Sequence, residues 1–420
     1  MPLNLAGADP LLKEAYEGAL RETLNQEVPL FKHLDQSDRQ YSGRRVVFPF
    51  HTARTTAVGA RPEGATLPSA SSQVYVTSVI SATYHYGRGQ ITGQAAASGK
   101  NAFVDTLDSE LKRTMQDLVQ DLSRQSWGTG DGRLAQIALD SNSNTAVTVF
   151  NRFAAAKSGS PGGRWIVAGQ SLDAGTVASP TGQTSGVIVI SVAQSSNPAT
   201  TSDTITISNS ALNFSACDTY LFNGGAGGLG VEMQGMQALV DVWTDTNYYQ
   251  SNAFVSQVNG INRASVGAFN SLVLHNSGTT RILDGNLMQQ AFDEVSKNTG
   301  LGIDMIMGHH DVVRAFLDSV SADRRYMSPQ FNAGVQALTY NGIPLEKDRH
   351  APYNALFLIN KECIKQYTLL DLEFADDDGS ILNRVTNQDS WEFFIRTYRN
   401  LGFDAYPKGC LSIRDVRVDL

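Results

Sequence analysis

The sequence predicts an α+β protein that carries an all-β module in its middle. Three observations predict it. Apolar and polar residues alternate over a long run before position 90, an apolar stripe at helical spacing covers 102–127, and short alternating segments over 141–222 are separated by Ser/Gly/Pro/Thr loops. The chain has 420 residues, enough for two or three domains with a substantial core.

The elements follow in order. Asp9 and Pro10 form an N-cap and first-turn pair that starts a helix through about Asn25, with Leu11, Leu12, Tyr16, Ala19, Leu20 and Leu24 to bury. "RRVVFPFH", Arg44 to His51, is a short strand, answered by the long "SQVYVTSVISATYHYG", Ser72 to Gly87. In the second, alternation assigns Val74, Val76, Ile80, Ala82, Tyr84 and Tyr86 to one face, and Thr77, Ser81, Thr83 and His85 to the other. Between them runs "TARTTAVGARPEGATLPSAS", an extended tip that carries Arg54, Arg61 and Glu63. A lone two-stranded ribbon is marginal in water, so this one is expected to be held from outside, by a neighbouring subunit.

In the helix over 102–127, Val104, Leu107, Leu111, Met115, Leu118 and Leu122 advance by three or four and form one stripe. At 1.5 Å per residue it is a rod of about 39 Å. It stops at "WGTGDGRL", where Gly128, Gly130 and Gly132 end any helix. The pieces "TAVTVF", "RWIVAG", "GVIVISVAQ", "DTITIS" and "TYLFN" make the β module, with exposed loops expected at Ser158–Gly163 and Ser195–Asp203. Beyond Gly230, Asp284 and Asp311 are each expected to cap a helix. Asn341–Gly342 suits the type I′ turn of a hairpin, and "NALFLINKE", "SWEFFIRTYRN" and "GCLSIRDVRV" supply later strands.

Composition narrows the function. Lys plus Arg total 33 against 41 Asp plus Glu, a formal charge of −8, and no basic block stands out. That argues against a dedicated nucleic-acid reader, whose affinity comes from neutralising phosphates. Cys217, Cys363 and Cys410 are far apart and no C-x-x-C occurs, so neither a zinc site nor a disulfide framework is expected. The first residues lack a basic then apolar pattern, and no run approaches 18 apolar residues.

The candidate chemical motifs fail on spacing. "GQAAASGKNAF" lacks the P-loop spacing, and Asn101 stands where a hydroxyl is needed for Mg²⁺, so it reads as a helix entry. "GAGGLG", Gly225 to Gly230, matches G-x-G-x-x-G, but the following "VEMQGMQALVDVW" is broken by Gly235 and no βαβ unit follows. "GHHD", Gly308 to Asp311, offers adjacent histidines that diverge on a strand, with no third ligand at helical spacing. "ADDDG", Ala375 to Gly379, lacks the register of a calcium loop. No catalytic, cofactor-binding or metal residue is nominated, and no cofactor is expected.

The order of parts carries a resemblance. Gly43 to Gly93 resemble an extended loop, and Ala102 to Trp127 with "GTGDGRL" a spine helix and its exit. The axial-domain helices are matched by "LDGNLMQQAFDEVSKNTGLGIDMIMGHHDVVRAFLDSVSADRRYM", and that domain's hairpin and strand by "LTYNGIPLEKDRHAPYNALFLIN". Closing strands of a peripheral domain are matched by "DSWEFFIRTYRNLGFDAYPKGCLSI". The set resembles the major capsid proteins of tailed bacteriophages, the Hong Kong 97-type fold also found in herpesvirus shells and encapsulins.

The resemblance implies an N-terminal arm at 1–43, an extended loop at 44–95 and a peripheral domain with its spine helix at 96–140. The β module at 141–222, which the minimal fold lacks, would be an insertion. An axial domain at 223–384 and peripheral return strands at 385–420 would complete the chain. It further implies a non-enzymatic shell of hexamers and pentamers, located in the virion after assembly in the host bacterial cytoplasm. Its partners would be portal, scaffolding and decoration proteins, with packaged double-stranded DNA touched non-specifically and no membrane. An encapsulin-like compartment is the alternative within this fold. An enzyme using 225–230 or 308–311 is the alternative outside it. Some relatives cross-link a ribbon lysine to an asparagine, but no lysine lies between Lys32 and Lys100, so no such bond is expected from this ribbon.

Overall fold

The computed structural model describes residues 28–94, 100–137, 141–142, 145–151, 162–176, 179–194, 203–208, 213–214, 219–225, 227–228, 230–243, 256–277, 279–323, 338–376 and 381–418. The helix expected over 9–25 and most of the two loops expected in the β module lie outside these residues.

A short helix α1 (Pro29–His33) has proline in its first turn and buries Leu30 and Phe31. The Gln366 side-chain amide donates to Phe31 O at 2.7 Å and Leu34 O at 2.8 Å, which ties it down. Strands β1 (Arg45–Ala53) and β2 (Val74–Ser81) pair antiparallel, with Arg45 opposite Ser81 and Phe50 opposite Val76. Val46, Phe48 and Phe50 alternate inward from β1 and join Ile80 in the largest apolar cluster of the chain. Phe50 meets Phe269 edge-to-face at 4.9 Å, and the Asn259 amide donates to Ser78 Oγ at 3.1 Å and Phe403 O at 2.8 Å. The expectation that only a neighbour holds the ribbon is therefore corrected: its own chain holds the paired half. Residues 54–73 form no strand and are almost all exposed.

A second correction concerns which side chains face inward. The long strand is interrupted at Ala82, whose N–H bonds Arg44 O at 3.0 Å, and resumes as β3 (Thr83–Thr92) on a different partner. That partner is the strand Ser390–Phe403, with Tyr84 opposite Tyr398. Ala82 and Thr83 are both buried, so the pleat slips by one. Thr83 and His85 point inward, while Tyr84 and Tyr86 point out.

Helix α2 (Lys100–Ser126) has 27 residues. Leu111, Met115, Leu118 and Leu122 are buried, together with Val119, whereas the side chains of Val104 and Leu107 lie outside the description. The stripe packs on β3, where an added Cβ at Gly87 would sit 3.2 Å from Thr114 and 3.5 Å from Leu118.

Next comes a closed six-stranded barrel. Its strands are β4 (Arg133–Ile137), β5 (Ala146–Asn151), β6 (Ser171–Thr176), β7 (Ser179–Ala193), β8 (Asp203–Ile207) and β9 (Tyr220–Asn223). Their order around the ring is β9-β4-β5-β8-β7-β6. Side chains fill the interior with a separate core that includes Leu134, Ile137, Val149, Leu172, Val189 and Ile205. The module expected at 141–222 thus begins earlier, because β4 closes the ring beside β9. Entry and exit strands are neighbours, and Gly228 N bonds Asp131 O at 3.0 Å while Gly230 N bonds Gly130 O at 3.1 Å.

Past this neck follow α3 (Met236–Leu239), β10 (Leu272–Leu274), α4 (Gly285–Thr299), β11 (Met305–Gly308) and α5 (His310–Asp323). Then come β12 (Thr339–Tyr340), β13 (Ile343–Lys347), β14 (Leu356–Ile359), β15 (Ile364–Phe374), β16 (Asn383–Arg384), β17 (Ser390–Phe403) and β18 (Leu411–Ile413). One mixed sheet runs β10-β18-β14-β11-β13-β12, with Met288, Ala291 and Val295 of α4 and Val312, Val313 and Phe316 of α5 in its core. The other sheet has β17 at its centre, with β15 and β16 on one side and β3 on the other. Asp284 caps α4 by accepting from Leu287 N at 2.8 Å. The turn between β12 and β13 has positive φ at both Asn341 and Gly342, as a type I′ turn requires. Asp311 does not cap α5: the helix starts at His310, which puts Asp311 inside the first turn.

Gly235 marks the tightest approach in the chain. A Cβ there would lie 2.4 Å from Gln125 O and 2.5 Å from both Gly128 N and Ser126 O, all backbone atoms of the end of α2. Gly235→Ala is expected to destabilise the subunit by roughly 3 kcal/mol, read as a lowered urea midpoint with unchanged slope. Leu111→Asp would bury a charge with no partner, and its loss of at least about 4 kcal/mol should abolish soluble folded protein.

Candidate assembly surfaces

The ribbon tip is the most exposed part of the described chain. Its two limbs are tied as far as Thr56 and Ser71: Thr55 Oγ1 donates to Ser71 O at 2.9 Å, Thr56 N donates to Ser71 Oγ at 3.0 Å, and Gln73 Oε1 contacts His51 Nε2 at 2.8 Å. Beyond them only a turn, Ala65 N to Pro62 O at 3.2 Å, organises the backbone. Arg54, Arg61 and Glu63 are exposed there as separate side chains. Sequence reading missed Val58 and Leu67, which are 82% and 81% exposed. Their signal is a branched aliphatic set alone in a Gly/Pro/Ala/Thr loop, where no core of its own exists to receive it.

The sheet formed by β3 and β17 has two unlike faces. The inner face meets α2. The outer face carries Tyr84 and Tyr86 edge-on to Tyr398 at 4.9 and 5.9 Å, with Tyr86 and Tyr398 hydroxyls 3.3 Å apart. Its arginines are matched by acids, Arg88 by Glu392 and Arg396 by Glu373 at 3.1 Å. A face whose cations are already paired does not grip phosphate. The helix stripe Leu111, Met115, Leu118 and Leu122 lies within the subunit core and is not part of any outer surface.

Two of the motifs set aside in the sequence, 225–230 and 308–311, make structural contacts. In 225–230, Gly225 N donates to Asp173 Oδ2 at 2.8 Å, and the run leads into the neck and then a helix of only four residues. His309 lies between Arg164 Nη1 at 3.1 Å and an Asp311 oxygen at 3.1 Å. Arginine can only donate, so Nε2 accepts from Arg164, while Nδ1 faces the Asp311 carboxylate and the Asp311 N–H at 3.3 Å. Beside it, Trp165 of the barrel stacks on His350 at 4.5 Å and 16°. The histidines thus dock the barrel on the rest of the chain. Among the described residues no group of three His, Cys, Asp or Glu is arranged to hold a metal ion.

No protein-family model matches the chain, and no curated protein matches its sequence. Solved structures do. A chain of the cyanophage A-1(L) capsid asymmetric unit superposes with a TM-score of 0.56 at 12% identity, covering 93% of each chain. The chain has a phage capsid fold. Two looser superpositions, with TM-scores of 0.49 and 0.45 at 7% identity, are a capsid chain of a native GTA particle and the holo-SrpI encapsulin complex from Synechococcus elongatus PCC 7942. They cover 94% and 93% of this chain and 91% and 88% of theirs.

The sheet of β3 and β17 hides charge-bearing groups on its inner face. His85 Nε2 lies 3.0 Å from Thr83 Oγ1, and Arg399 reaches Asp371 at 2.9 Å. Burial pushes the His85 imidazole down to about 4, against a smaller upward pull from Asp121. The unfolded chain, with an ordinary histidine, takes up this proton first. The neutral ring's contribution is therefore intact above about pH 6.5 and is lost as pH falls towards 4. Urea midpoints should drop between pH 7 and 4.5 by the equivalent of about 2–3 kcal/mol from this group, and His85→Gln should flatten that part of the slope.

Proposed function

We propose that this chain is the major capsid (coat) protein of a tailed double-stranded DNA bacteriophage, a non-enzymatic subunit that self-assembles into the icosahedral head shell around the genome. The observation that carries the reading is the superposition on a cyanophage capsid chain over 93% of both molecules. In the Hong Kong 97-type plan, α2 is the spine helix and the sheet centred on β17 the peripheral domain; the extended loop, expected over 44–95, shortens to 44–81, because β3 leaves the ribbon for β17. The sheet with α4 and α5 is the axial domain and the barrel is an insertion; the bounds 223–384 and 385–420 are corrected, because β15 and β16 join the β17 sheet while β18 joins the axial one. The neck supports that last assignment, since chain entry and exit through one adjacent strand pair is what an inserted domain needs.

The extended tip is the assembly element. Arg54, Arg61 and Glu63 pair with charges on adjacent subunits of hexamers and pentamers, and Val58 and Leu67 bury there. A net charge of −8 suits a wall that confines DNA without gripping it. Portal, scaffolding and decoration proteins complete the head in the host cytoplasm.

Electron microscopy of the expressed protein tests the reading: closed shells are expected, and a uniformly monomeric protein under all assembly conditions would exclude it. Particles that enclose protein cargo instead of DNA in the native host would mark an encapsulin-like compartment. Removing residues 52–70 should leave a folded subunit that forms no closed shells, because the paired half of the ribbon is held by its own core. Mature particles boiled in denaturant should run as one band near 45 kDa, since the ribbon lacks a lysine nucleophile. A reductant-resistant ladder of multiples would contradict that.

A further inference from the structure

One wall of the barrel has a composition that folding does not explain. Residues 174–202 contain no Asp, Glu, Lys or Arg, although at the chain's 18% charged fraction about five would be expected. The next acid, Asp203, is buried and accepts from Gly163 N at 2.8 Å, so it is turned away from the surface. The stretch forms β7 and leads into β8, and the outward residues of these strands are uncharged. Ile188 and Ile190 are 43% and 58% exposed, Ser191 and Ala193 are exposed, and Thr204 and Thr206 are half-buried.

The place of this wall in the ring makes the composition informative. In the order β9-β4-β5-β8-β7-β6, β7 stands opposite β4 and β8 opposite β9. All five residues of β4 are buried, both inward and outward ones, so the β4–β9 side is covered by the rest of the chain. The β7–β8 wall therefore points away from the subunit body. A far wall left to water ordinarily carries charge for solubility, whereas the centre of a protein contact is depleted in it.

We propose that the β7–β8 wall is a contact face between two copies of this chain, wall against wall. A face without cations does not bind DNA or an anionic membrane, and one without any charge does not select a charged protein. An identical wall is uncharged in the same way, offers hydroxyls to hydroxyls and Ile190 to Ile190, and meets no like-charge repulsion across a two-fold axis. The wall is small. Fifteen residues of β7 and five of β8 present on the order of 300 Å², below the roughly 800 Å² per partner of a stable complex. The contact is thus weak between free subunits and counts where many copies are held side by side. The high copy density, though not the wall itself, rests on the shell reading above.

The test uses full-length Ile190→Cys and Ile190→Lys. In assembled particles a short bismaleimide should convert most Ile190→Cys subunits, made in a Cys217→Ser background, to covalent dimers that the Cys217→Ser parent does not form, since the two remaining cysteines, Cys363 and Cys410, are buried. Ile190→Lys particles should dissociate several degrees below wild type, with the subunit's own unfolding midpoint unchanged. Cross-linked particles that yield only monomers, or Ile190→Lys particles that dissociate at the wild-type temperature, overturn the proposal. If wild type forms no closed particles, the shell reading fails separately. The wall is then judged by the same bismaleimide on concentrated free subunits, which traps a weak contact: Ile190→Cys dimers in excess of those from the exposed control Val167→Cys support it, and no excess overturns it.

Discussion

Everything in this chain converges on the C-terminal end of the long helix. There Arg124, almost fully buried, reaches both Asp121 at 2.7 Å and the buried Glu232, and these carboxylates hold its guanidinium firmly charged despite the cost of burial. A cation at that end also suits the helix dipole. Glu232 lies just past the barrel neck, so the ion pair ties helix to neck. Three residues on, Trp127 donates from its indole to Asp348 at 2.9 Å and packs edge-on to Phe357 at 5.2 Å, which ties the same end to the mixed sheet. Gly235 closes the cluster by letting the exit chain lie directly on the helix terminus. Removing one partner of such a buried pair typically costs about 3–5 kcal/mol, because the other charge is stranded. The ion pair and Trp127 together therefore hold helix, barrel neck and sheet in one arrangement.

The ribbon divides its work along its length. Near the body, strict alternation in β1 places Val46, Phe48 and Phe50 in the main core, and the Asn259 amide bridges ribbon to return strand. Farther out, apolar side chains lose the core and hydrogen bonds pass to hydroxyls and one glutamine. An element rigid at its root and open at its tip is preorganised in direction but free to adapt at the contact, which lowers the entropy cost of docking.

Charge is handled by pairing within the described chain more than by display. Arg88 with Glu392, Arg396 with Glu373, Arg399 with Asp371 and Arg414 with Asp241 each neutralise an arginine on or under a sheet. The outer face of β3 and β17 is left aromatic and electrically quiet, and the far wall of the barrel is uncharged. Such faces suit the proposed shell, where copies would sit side by side, since like charges repeated by symmetry oppose one another.

Local chemistry was legible in the sequence. The stripe Leu111, Met115, Leu118 and Leu122, the Asp284 cap and the Asn341–Gly342 turn each depend on neighbours within a few residues, and each stands in the structure where spacing and turn chemistry put it. What the sequence did not determine is which partner each strand would take. Ala82 interrupts a run that alternates without a break, because the chain there leaves β1 for β17, more than 300 residues away, and the change of partner turns Tyr84 and Tyr86 outward. Arg133–Ile137 carries no boundary signal, and only ring closure beside β9 makes it part of the barrel. His309, adjacent to the helix start wrongly given to Asp311, takes its role from Arg164 across the barrel contact. Turns and helix faces are set by short-range sterics and hydrogen bonds, which one sequence displays. Strand partners and buried ion pairs are chosen by burial among distant segments, and only the folded chain brings those together.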